Sequence, residues 1–299
     1  MVNLRLLIPT LLAAGAVAGC VEGDAALDTT AQALAQSNGS SLNGVRLNGV
    51  RLNGVRLNGV RLNGVRLNGV RLNGVRLNGV RLNGSALTAT EGGVAVPEGE
   101  LIGSTWSGKL SDGDTLPIRI DAIAHDADLA IYTVSYQTVD GWIDMCEGAG
   151  ALAVAGTWNY DEGVPQGGRY RVHDDDFTFA CRGFAIAKCV EFGYQPWLGR
   201  ADLLATCTRA LRADFCGDGT PYTVDGTLLN IYDRDGIQTD DASWPLEARW
   251  NKHGAACISE PSATRFVQAA GQTPTCIASL RTCNQGGNAL ITTELPPVE

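Results

Sequence analysis

The chain has 299 residues, of which 44% are hydrophobic and 18% are charged, and its formal net charge at pH 7 is −9. An apolar start, a polar stretch and a run of repeats fill residues 1–84, and the remaining residues suffice for one domain with its own core rather than several. The charge is divided unevenly, because the repeats hold eight arginines and no acid whereas residues 85–299 hold 14 basic and 29 acidic groups. We expect these two parts to attract each other or to bind separate partners.

Residues 1–19 have the composition of a secretory signal peptide. One positive charge, Arg5, precedes an apolar run that extends from Leu6 to Val17, and small residues follow it. The run is shorter than the stretch of about 20 residues that a transmembrane helix needs. This segment is therefore predicted to direct export and to take no part in the fold.

The end of this segment, Val17-Ala18-Gly19-Cys20, resembles the lipobox of bacterial lipoproteins. The resemblance implies cleavage after Gly19 and attachment of a diacylglycerol to Cys20, and two or three acyl chains hold a domain firmly at a bilayer. Val21 stands where inner-membrane lipoproteins often have aspartate, which implies transfer to the outer membrane or cell surface. A plain secreted protein is the alternative.

Eight identical copies of Val-Arg-Leu-Asn-Gly extend from Val45 to Gly84, between a flexible tether at residues 20–40 and a linker at residues 90–100. A five-residue period advances about 140° on a helix, so that leucine would face every direction and glycine would interrupt each turn. Extended geometry fits better, with Val-Arg-Leu as a short strand and Asn-Gly as a turn.

This pattern resembles the pentapeptide-repeat family, whose members form a right-handed β-helix around an apolar central residue. The leucines match that central position: Leu47, Leu52, Leu57, Leu62, Leu67, Leu72, Leu77 and Leu82. Eight copies make only about two coils, and solenoids usually need three or more units, so residues 41–89 are predicted as a short solenoid or a flexible spacer. The arginines either keep the surface soluble or bind a surface polyanion. Nucleic acid is disfavoured, because no aromatic residue is interleaved to stack on bases.

From residue 101 to 285 the pattern predicts a cysteine-rich α+β domain, dominated by antiparallel strands and followed by a tail at residues 286–299. Alternating apolar residues predict strands at 117–122, 129–139, 151–160, 176–180, 227–232 and 246–250. Helices are predicted at residues 185–192 and 201–212. The second is the better supported, because Leu203, Leu204, Cys207 and Leu211 share one face.

Cysteine usage predicts four disulfides in this domain. Eight cysteines remain after Cys20: Cys146, Cys181, Cys189, Cys207, Cys216, Cys257, Cys276 and Cys283. An even number in an exported chain is typical of a disulfide framework, although about 105 pairings are possible. A zinc site is the alternative, but the spacings lack the short Cys-x2-Cys element and no histidine is adjacent. We predict no metal and no other cofactor.

One run resembles the ADYC domain, a family known chiefly from exported myxobacterial proteins and named after an Ala-Asp-Tyr-Cys sequence. The run is Arg212, Ala213, Asp214, Phe215, Cys216, Gly217, Asp218 and Gly219. Further likeness lies at Ala180-Cys181-Arg182-Gly183, Ala187-Lys188-Cys189 and Glu247-Ala248-Arg249-Trp250, so that the resemblance covers most of residues 100–265. Phe215 replaces the tyrosine of the family, and the family implies no activity.

The run also permits a local interpretation. A helix that ends at Phe215-Cys216-Gly217 could use the glycine as a left-handed cap, bury the phenylalanine and fix the turn with a disulfide. Asp214 could pair with Arg209 or Arg212. A catalytic Cys216 thiolate would need a free thiol and a base, so a disulfide is favoured.

Other candidate groups have simpler interpretations. Asp233-Arg234-Asp235-Gly236 with Asp240-Asp241 offers carboxylates for calcium but lacks the complete EF-hand spacing, so a solvated turn is favoured. Asp174-Asp175-Asp176 is interpreted as surface charge, and Asp112 with Asp114 as a turn rather than a glycosidase pair. His125, His173 and His253 are isolated, without a hydrolase motif around them.

These observations predict an outer-membrane-anchored lipoprotein that is a binding or structural module of the envelope rather than an enzyme. Its expected partners are the membrane, through the lipid on Cys20, and a surface polyanion or an envelope protein. A membrane-anchored hydrolase that uses carboxylates of the C-terminal domain is the alternative. Two convergent carboxylates of raised pKa in a cleft would favour that enzyme.

Overall fold

The structure is a computed structural model of the whole chain. It describes residues 60–62, 72–76, 80–91, 94–110, 115–173, 176–240, 242–283 and 288–297. The predicted signal peptide, Cys20 and the tether lie outside these ranges. The predicted α+β class is confirmed, since antiparallel strands dominate and two α-helices accompany them.

The strands are numbered in chain order. They are β1 (Val60–Leu62), β2 (Leu72–Arg76), β3 (Val80–Asn83), β4 (Ala86–Glu91), β5 (Val94–Val96), β6 (Thr105–Leu110), β7 (Thr115–Asp126), β8 (Leu129–Thr138), β9 (Gly141–Asp144), β10 (Ala151–Ala155), β11 (Thr157–Trp158), β12 (Tyr170–Arg171), β13 (Asp176–Cys181), β14 (Thr227–Asp233), β15 (Leu246–Asn251), β16 (Gly254–Ile258) and β17 (Ile291–Glu294). The α-helices are α1 (Ala185–Glu191) and α2 (Ala201–Arg212). Short 3-10 turns lie at Glu98–Leu101, Pro196–Leu198, Pro261–Ala263 and Ile277–Ser279, and one π-helical turn at Phe266–Ala270.

The larger sheet closes on itself. Its order is β10-β13-β2-β6-β7-β8-β9, and β10 also pairs with β8 through Ala151 and Tyr132. Strand β2 consists of residues from the sixth and seventh repeat copies, and it lies between β13 and β6. The repeats therefore supply one strand of the closed sheet of the domain.

The second sheet has five strands in the order β1-β14-β17-β15-β16, all antiparallel. Strand β1 belongs to the fourth repeat copy and pairs with β14 at the edge. Strand β17 lies in the centre, between β14 and β15. The prediction of a tail at residues 286–299 was wrong for this segment, because its backbone groups pair on both sides and Ile291 and Thr293 are buried.

The last repeat copy forms a hairpin with the sequence that follows the repeats. Strand β3 pairs with β4 around a turn at Gly84 and Ser85, and β4 pairs with β5. The Ser85 hydroxyl accepts from the backbone N–H of Ala130, and the Tyr132 hydroxyl accepts from the backbone N–H of Leu87, both over 2.7–2.8 Å. These bonds fix the hairpin to the closed sheet.

Two hydrophobic cores lie on opposite faces of the same two strands, β10 and β13. Leu152 and Val154 of β10 face the core that contains both helices, while Ala151 and Ala153 face the interior of the closed sheet. Because side chains alternate along a strand, one strand can serve both cores only if both of its faces are apolar. Strand β13 does the same, with Ala180 in the first core and Phe179 in the second.

The helix predictions are confirmed closely. Helix α2 has the predicted limits, and its predicted apolar face is buried together with most of the remaining helix. Helix α1 ends one residue before the predicted limit. No helix among the described residues is long and apolar enough to span a membrane.

The predicted glycine cap of α2 was wrong. The helix ends at Arg212, and Ala213 takes the left-handed conformation with φ 53° and ψ 41°. Gly217 also has a positive φ, but it lies in the following loop, where a Cβ would overlap the carbonyl oxygen of His253. This glycine is therefore needed for close backbone packing rather than for capping.

The cysteine prediction is confirmed, with every described cysteine in a disulfide. The bonds are Cys146–Cys181, Cys189–Cys207, Cys216–Cys276 and Cys257–Cys283. The second bond joins α1 to α2. The third attaches the loop after α2 to the C-terminal part of the chain.

Candidate functional site: the buried charges at the end of α2

The run that follows α2 is organised around the carboxylate of Asp214. This carboxylate pairs with the guanidinium of Arg209, and both side chains are almost fully buried. The carboxylate also accepts from the backbone N–H groups of Asp218 and Gly219 over 3.1 and 3.0 Å. Burial raises the pKa of Asp214, and the positive charges of Arg209 and Arg212 oppose that rise. Of the two partners predicted for Asp214, Arg209 forms the ion pair.

The two arginines extend this network to neighbouring loops. Arg209 donates to the carbonyl oxygen of Gly167 over 2.6 Å, and Arg212 donates to that of Gly219 and to the carboxylate of Glu162. A Cβ at Gly167 would overlap the carbonyl oxygen of Asp218, so that the two loops meet through their backbones. The network consequently holds two loops against the end of α2.

Phe215 lies in an aromatic cluster. Only 1% of its surface is exposed. Its ring centroid is 4.9 Å from that of Trp250 and 5.2 Å from that of Phe266, with the latter pair edge to face. The ring thus contributes apolar packing at the position where the family name places a tyrosine.

A second buried ion pair, Glu247 with Arg265, contacts the end of the same helix. Arg265 donates from Nε to both carboxylate oxygens of Glu247, over 2.9 and 3.2 Å. Its two terminal nitrogens donate to the carbonyl oxygens of Ala210 and Leu211 over 2.6 and 3.2 Å. The last carbonyls of a helix lack partners within the helix, so Arg265 acts as a side-chain cap for α2. Thr293 of β17 donates to the same carboxylate over 2.8 Å.

The side chain of Asp233, the last residue of β14, stabilises the acidic turn that follows it. Asp233 accepts from the backbone N–H groups of Asp235, Ile237 and Gln238, and from the hydroxyl of Tyr194. These donors occupy both carboxylate oxygens. Among the described residues, no group of three or more His, Cys, Asp or Glu side chains is placed to hold a metal ion.

The remaining candidates do not converge. Asp112, Asp114, Asp174, Asp175 and Asp241 lie outside the described residues. His125 pairs with Glu98 at 2.8 Å on the surface, far in sequence from the other two histidines. The sulfur of Cys216 is in a disulfide, so the favoured interpretation is confirmed over a thiolate nucleophile.

Sequence reasoning missed Lys188 in the middle of α1. Its side chain is 3% exposed, and its Nζ has no hydrogen-bond partner among the described residues. Burial lowers the pKa of Lys188 to about 8, against the opposing charges of Asp225 and Glu191. The available signal was that every residue from Ala185 to Val190 is apolar or small except this lysine, as expected for a helix buried on all sides.

These contacts define a disulfide-bonded α+β domain in which a buried Arg–Asp pair fixes the end of the principal helix. A model of the ADYC domain matches residues 98–264, and a model of pentapeptide repeats matches residues 40–79 with eight copies. The first match covers more than half of the chain, and the chain belongs to the ADYC-domain family. No curated protein and no solved structure shows significant similarity to it.

Proposed function

We propose that this protein is an exported lipoprotein, anchored through Cys20 to the outer membrane, whose ADYC domain is a binding or structural module of the cell envelope. The observation that carries the proposal is that eight cysteines form four disulfides. Disulfides persist in oxidising compartments and are rare in the cytosol. The lipobox-like sequence Val17-Ala18-Gly19-Cys20 supports the same proposal, since it would direct export and provide the cysteine for lipid attachment.

The anchor is tested by labelling cells with an alkyne fatty acid and separating the membranes. The wild-type chain should carry the label and sediment with the outer membrane, whereas Cys20→Ser should lose the label and become soluble. Val21→Asp should keep the label and remain in the inner membrane, and Val21→Ala is its matched control. An unlabelled wild-type chain would contradict the proposal.

A module rather than a hydrolase is supported by the use of the buried carboxylates. The most buried carboxylates described above, those of Asp214, Asp233 and Glu247, accept hydrogen bonds from groups of the domain itself. Glu294 accepts from Tyr232 and Asn230 in the same way. Each carboxylate stabilises a turn, a helix end or a strand pair, which is a structural role.

For the binding partner, we favour an envelope protein with a basic surface over a polyanion. Residues 85–299 carry 29 acidic and 14 basic groups, so that the domain is strongly acidic. Opposite potentials steer association, and like potentials oppose it. The full chain that carries Cys20→Ser should therefore be retained by immobilised polylysine at low salt and pass through immobilised heparin. Retention on heparin would instead favour a polyanion bound by the arginines of the repeats.

In this proposal, the copies that contain β1, β2 and β3 are strands of the domain, and the tether at residues 20–40 joins the domain to the lipid. These strands pair with strands outside the repeats rather than with one another. Their pairing disfavours the short solenoid, whose coils would stack on each other.

A further inference from the structure

Two exposed arginines share one uncharged acceptor. Arg169 and Arg171 lie on either side of the half-buried Tyr170, and because side chains alternate along a strand they face the same way. Arg169 Nη1 donates to Gln166 Oε1 over 2.9 Å, and Arg171 Nη2 donates to the same oxygen over 3.4 Å. An amide oxygen neutralises neither charge, so the two guanidinium groups repel each other.

No carboxylate among the described residues forms an ion pair with either of these arginines. By contrast, seven other basic side chains of the domain are each paired with a carboxylate. Residues 85–299 carry 29 acidic and 14 basic groups, so a positive side chain has many acids available to it. The exposed guanidinium pair is therefore an exception in this acidic domain, and an anion from outside would neutralise it.

The backbone that positions Gln166 is held by the buried charges at the end of α2. Gln166 has φ 69°, a conformation that is uncommon for a residue with a Cβ and that persists only where the surroundings determine it. The carbonyl oxygen of the next residue, Gly167, accepts from Arg209 over 2.6 Å, and a Cβ at Gly167 would overlap the carbonyl oxygen of Asp218. The buried network thus places the amide that brings the two arginines together.

The strand that carries the arginines is fixed from its other face. Tyr170 stacks on Trp158 with ring centroids 4.2 Å apart, and its hydroxyl donates to the carbonyl oxygen of Ala155 over 2.6 Å. The backbone of Arg171 pairs with that of Thr157 in β11. The arginines and their shared acceptor are therefore ordered before a ligand binds, which lowers the entropic cost of binding.

The hydrogen-bonding groups left for a ligand are donors. Each guanidinium has five N–H donors and uses one on Gln166 Oε1, and the amide nitrogen of Gln166 has two more. A phosphate monoester carries a charge of about −1.5 to −2 at pH 7 and three acceptor oxygens, whereas a carboxylate carries one charge and two oxygens. Two guanidinium groups and one amide match the charge and the oxygens of the monoester better.

We propose that Gln166, Arg169 and Arg171 bind a phosphate monoester group. The ligand is the headgroup of an anionic lipid or a free phosphate ester, and both present the chemistry that the site recognises. The site lies within the ADYC domain and does not depend on a lipid at Cys20. One phosphate group needs only local positive charge, so the net charge of the domain, which opposes an extended polyanion, permits it.

Isothermal titration calorimetry tests the site with glycerol 3-phosphate and the full chain that carries Cys20→Ser, in phosphate-free buffer. Arg171→Gln should weaken binding at least about tenfold, as expected for the loss of a charge-assisted contact. Arg234→Gln is the matched control, because it removes one exposed positive charge elsewhere and should bind like the wild type. No binding by the wild type, or an equal loss in both variants, would overturn the proposal. Acetate that binds as tightly as glycerol 3-phosphate would overturn the choice of phosphate.

Gln166→Glu separates binding from folding. This variant places a carboxylate oxygen where the two arginines share the amide oxygen, so they gain a counter-charge within the domain. Binding of glycerol 3-phosphate should be lost while the thermal midpoint stays equal or rises. Unchanged binding would show that the phosphate does not lie between these arginines.

Flotation with lipid vesicles distinguishes the two sources of the phosphate. Phosphatidylcholine vesicles that contain phosphatidic acid present a monoester, and those that contain phosphatidylglycerol present a diester. Capture by the first vesicles alone, lost in Arg171→Gln, would assign the lipid headgroup. Binding of glycerol 3-phosphate without capture by either vesicle would assign a free ester. Equal capture by both anionic vesicles would overturn recognition of the monoester.

Discussion

Glu247 and Arg265 form an ion pair that is enclosed in the core, with 0% and 2% of their side chains exposed. The two residues are 18 positions apart, and the same guanidinium reaches the end of α2. Trp250 donates to Thr293, which donates to Glu247. One carboxylate thus joins β15, β17, α2 and the segment after Pro261–Ala263.

Removal of one partner of this pair should be severe. We expect Glu247→Ala to lower the free energy of unfolding by about 3–5 kcal/mol, because the guanidinium would be left buried without its counter-charge. Urea unfolding followed by tryptophan fluorescence measures the loss. Asp202→Ala is the control, since its pair with Lys252 has side chains 65% and 46% exposed. A similar loss for both variants would contradict the expected difference.

Lys188 should make stability depend on pH. Its folded pKa is about 8 and its unfolded pKa about 10.5, so the unfolded chain binds one more proton between these values. Stability therefore rises with pH, by up to about 2 kcal/mol between pH 8 and pH 10. The window stops at pH 10 because the pKa values of the buried Tyr132 and the half-buried Tyr232 are raised to about 12, which lowers stability at higher pH.

The variant Lys188→Met removes this titration and keeps the shape of the side chain. We expect higher stability than the wild type at pH 7 and a flatter profile between pH 8 and pH 10, both from urea midpoints. An unchanged slope in the variant would show that another group is responsible.

The four disulfides should differ in their access to reductant. Cys146, Cys181, Cys189 and Cys207 are almost fully buried, whereas Cys216 and Cys276 are half-buried. Thiol exchange requires access of the attacking thiolate to sulfur. Mild dithiothreitol in native buffer should therefore reduce Cys216–Cys276 before either buried pair, as read by alkylation and mass mapping. Alkylation of Cys189 first would contradict this order.

Deletion of the C-terminal strand should abolish folding. A chain that ends at residue 289 lacks β17, so β14 and β15 lose their common neighbour and Glu247 loses the hydroxyl of Thr293. We expect no cooperative thermal transition in its circular dichroism. A chain that ends at Pro297 is the matched control and should melt like the full chain.

Sequence patterns predicted those helices and strands whose own residues show a clear apolar periodicity. The limits of α2 follow from the spacing of Leu204, Cys207 and Leu211, and β8 and β14 follow from alternation. Strand β17 was missed because four residues flanked by a proline-rich end carry little periodic signal. Its place in the sheet depends on partners at β14 and β15 that local pattern does not report.

In the candidate site, too, local sequence pattern did not predict the contacts that depend on tertiary structure. The sequence offered both Arg209 and Arg212 as partners of Asp214, and only the folded helix end selects Arg209. The pairing of Glu247 with Arg265 and the choice among disulfide partners depend on tertiary distances, for which the sequence holds no spacing rule. Burial of Lys188 likewise depends on what packs against both sides of α1.

The position of β17 also sets an order for folding. Strand β17 lies between two strands that were synthesised earlier, and the first described strand, β1, lies on the far side of the same β14. The five-stranded sheet is therefore incomplete until β17 has been synthesised. A nascent chain of this protein should keep β14 and β15 without their common neighbour until residues 291–294 are available to pair with both.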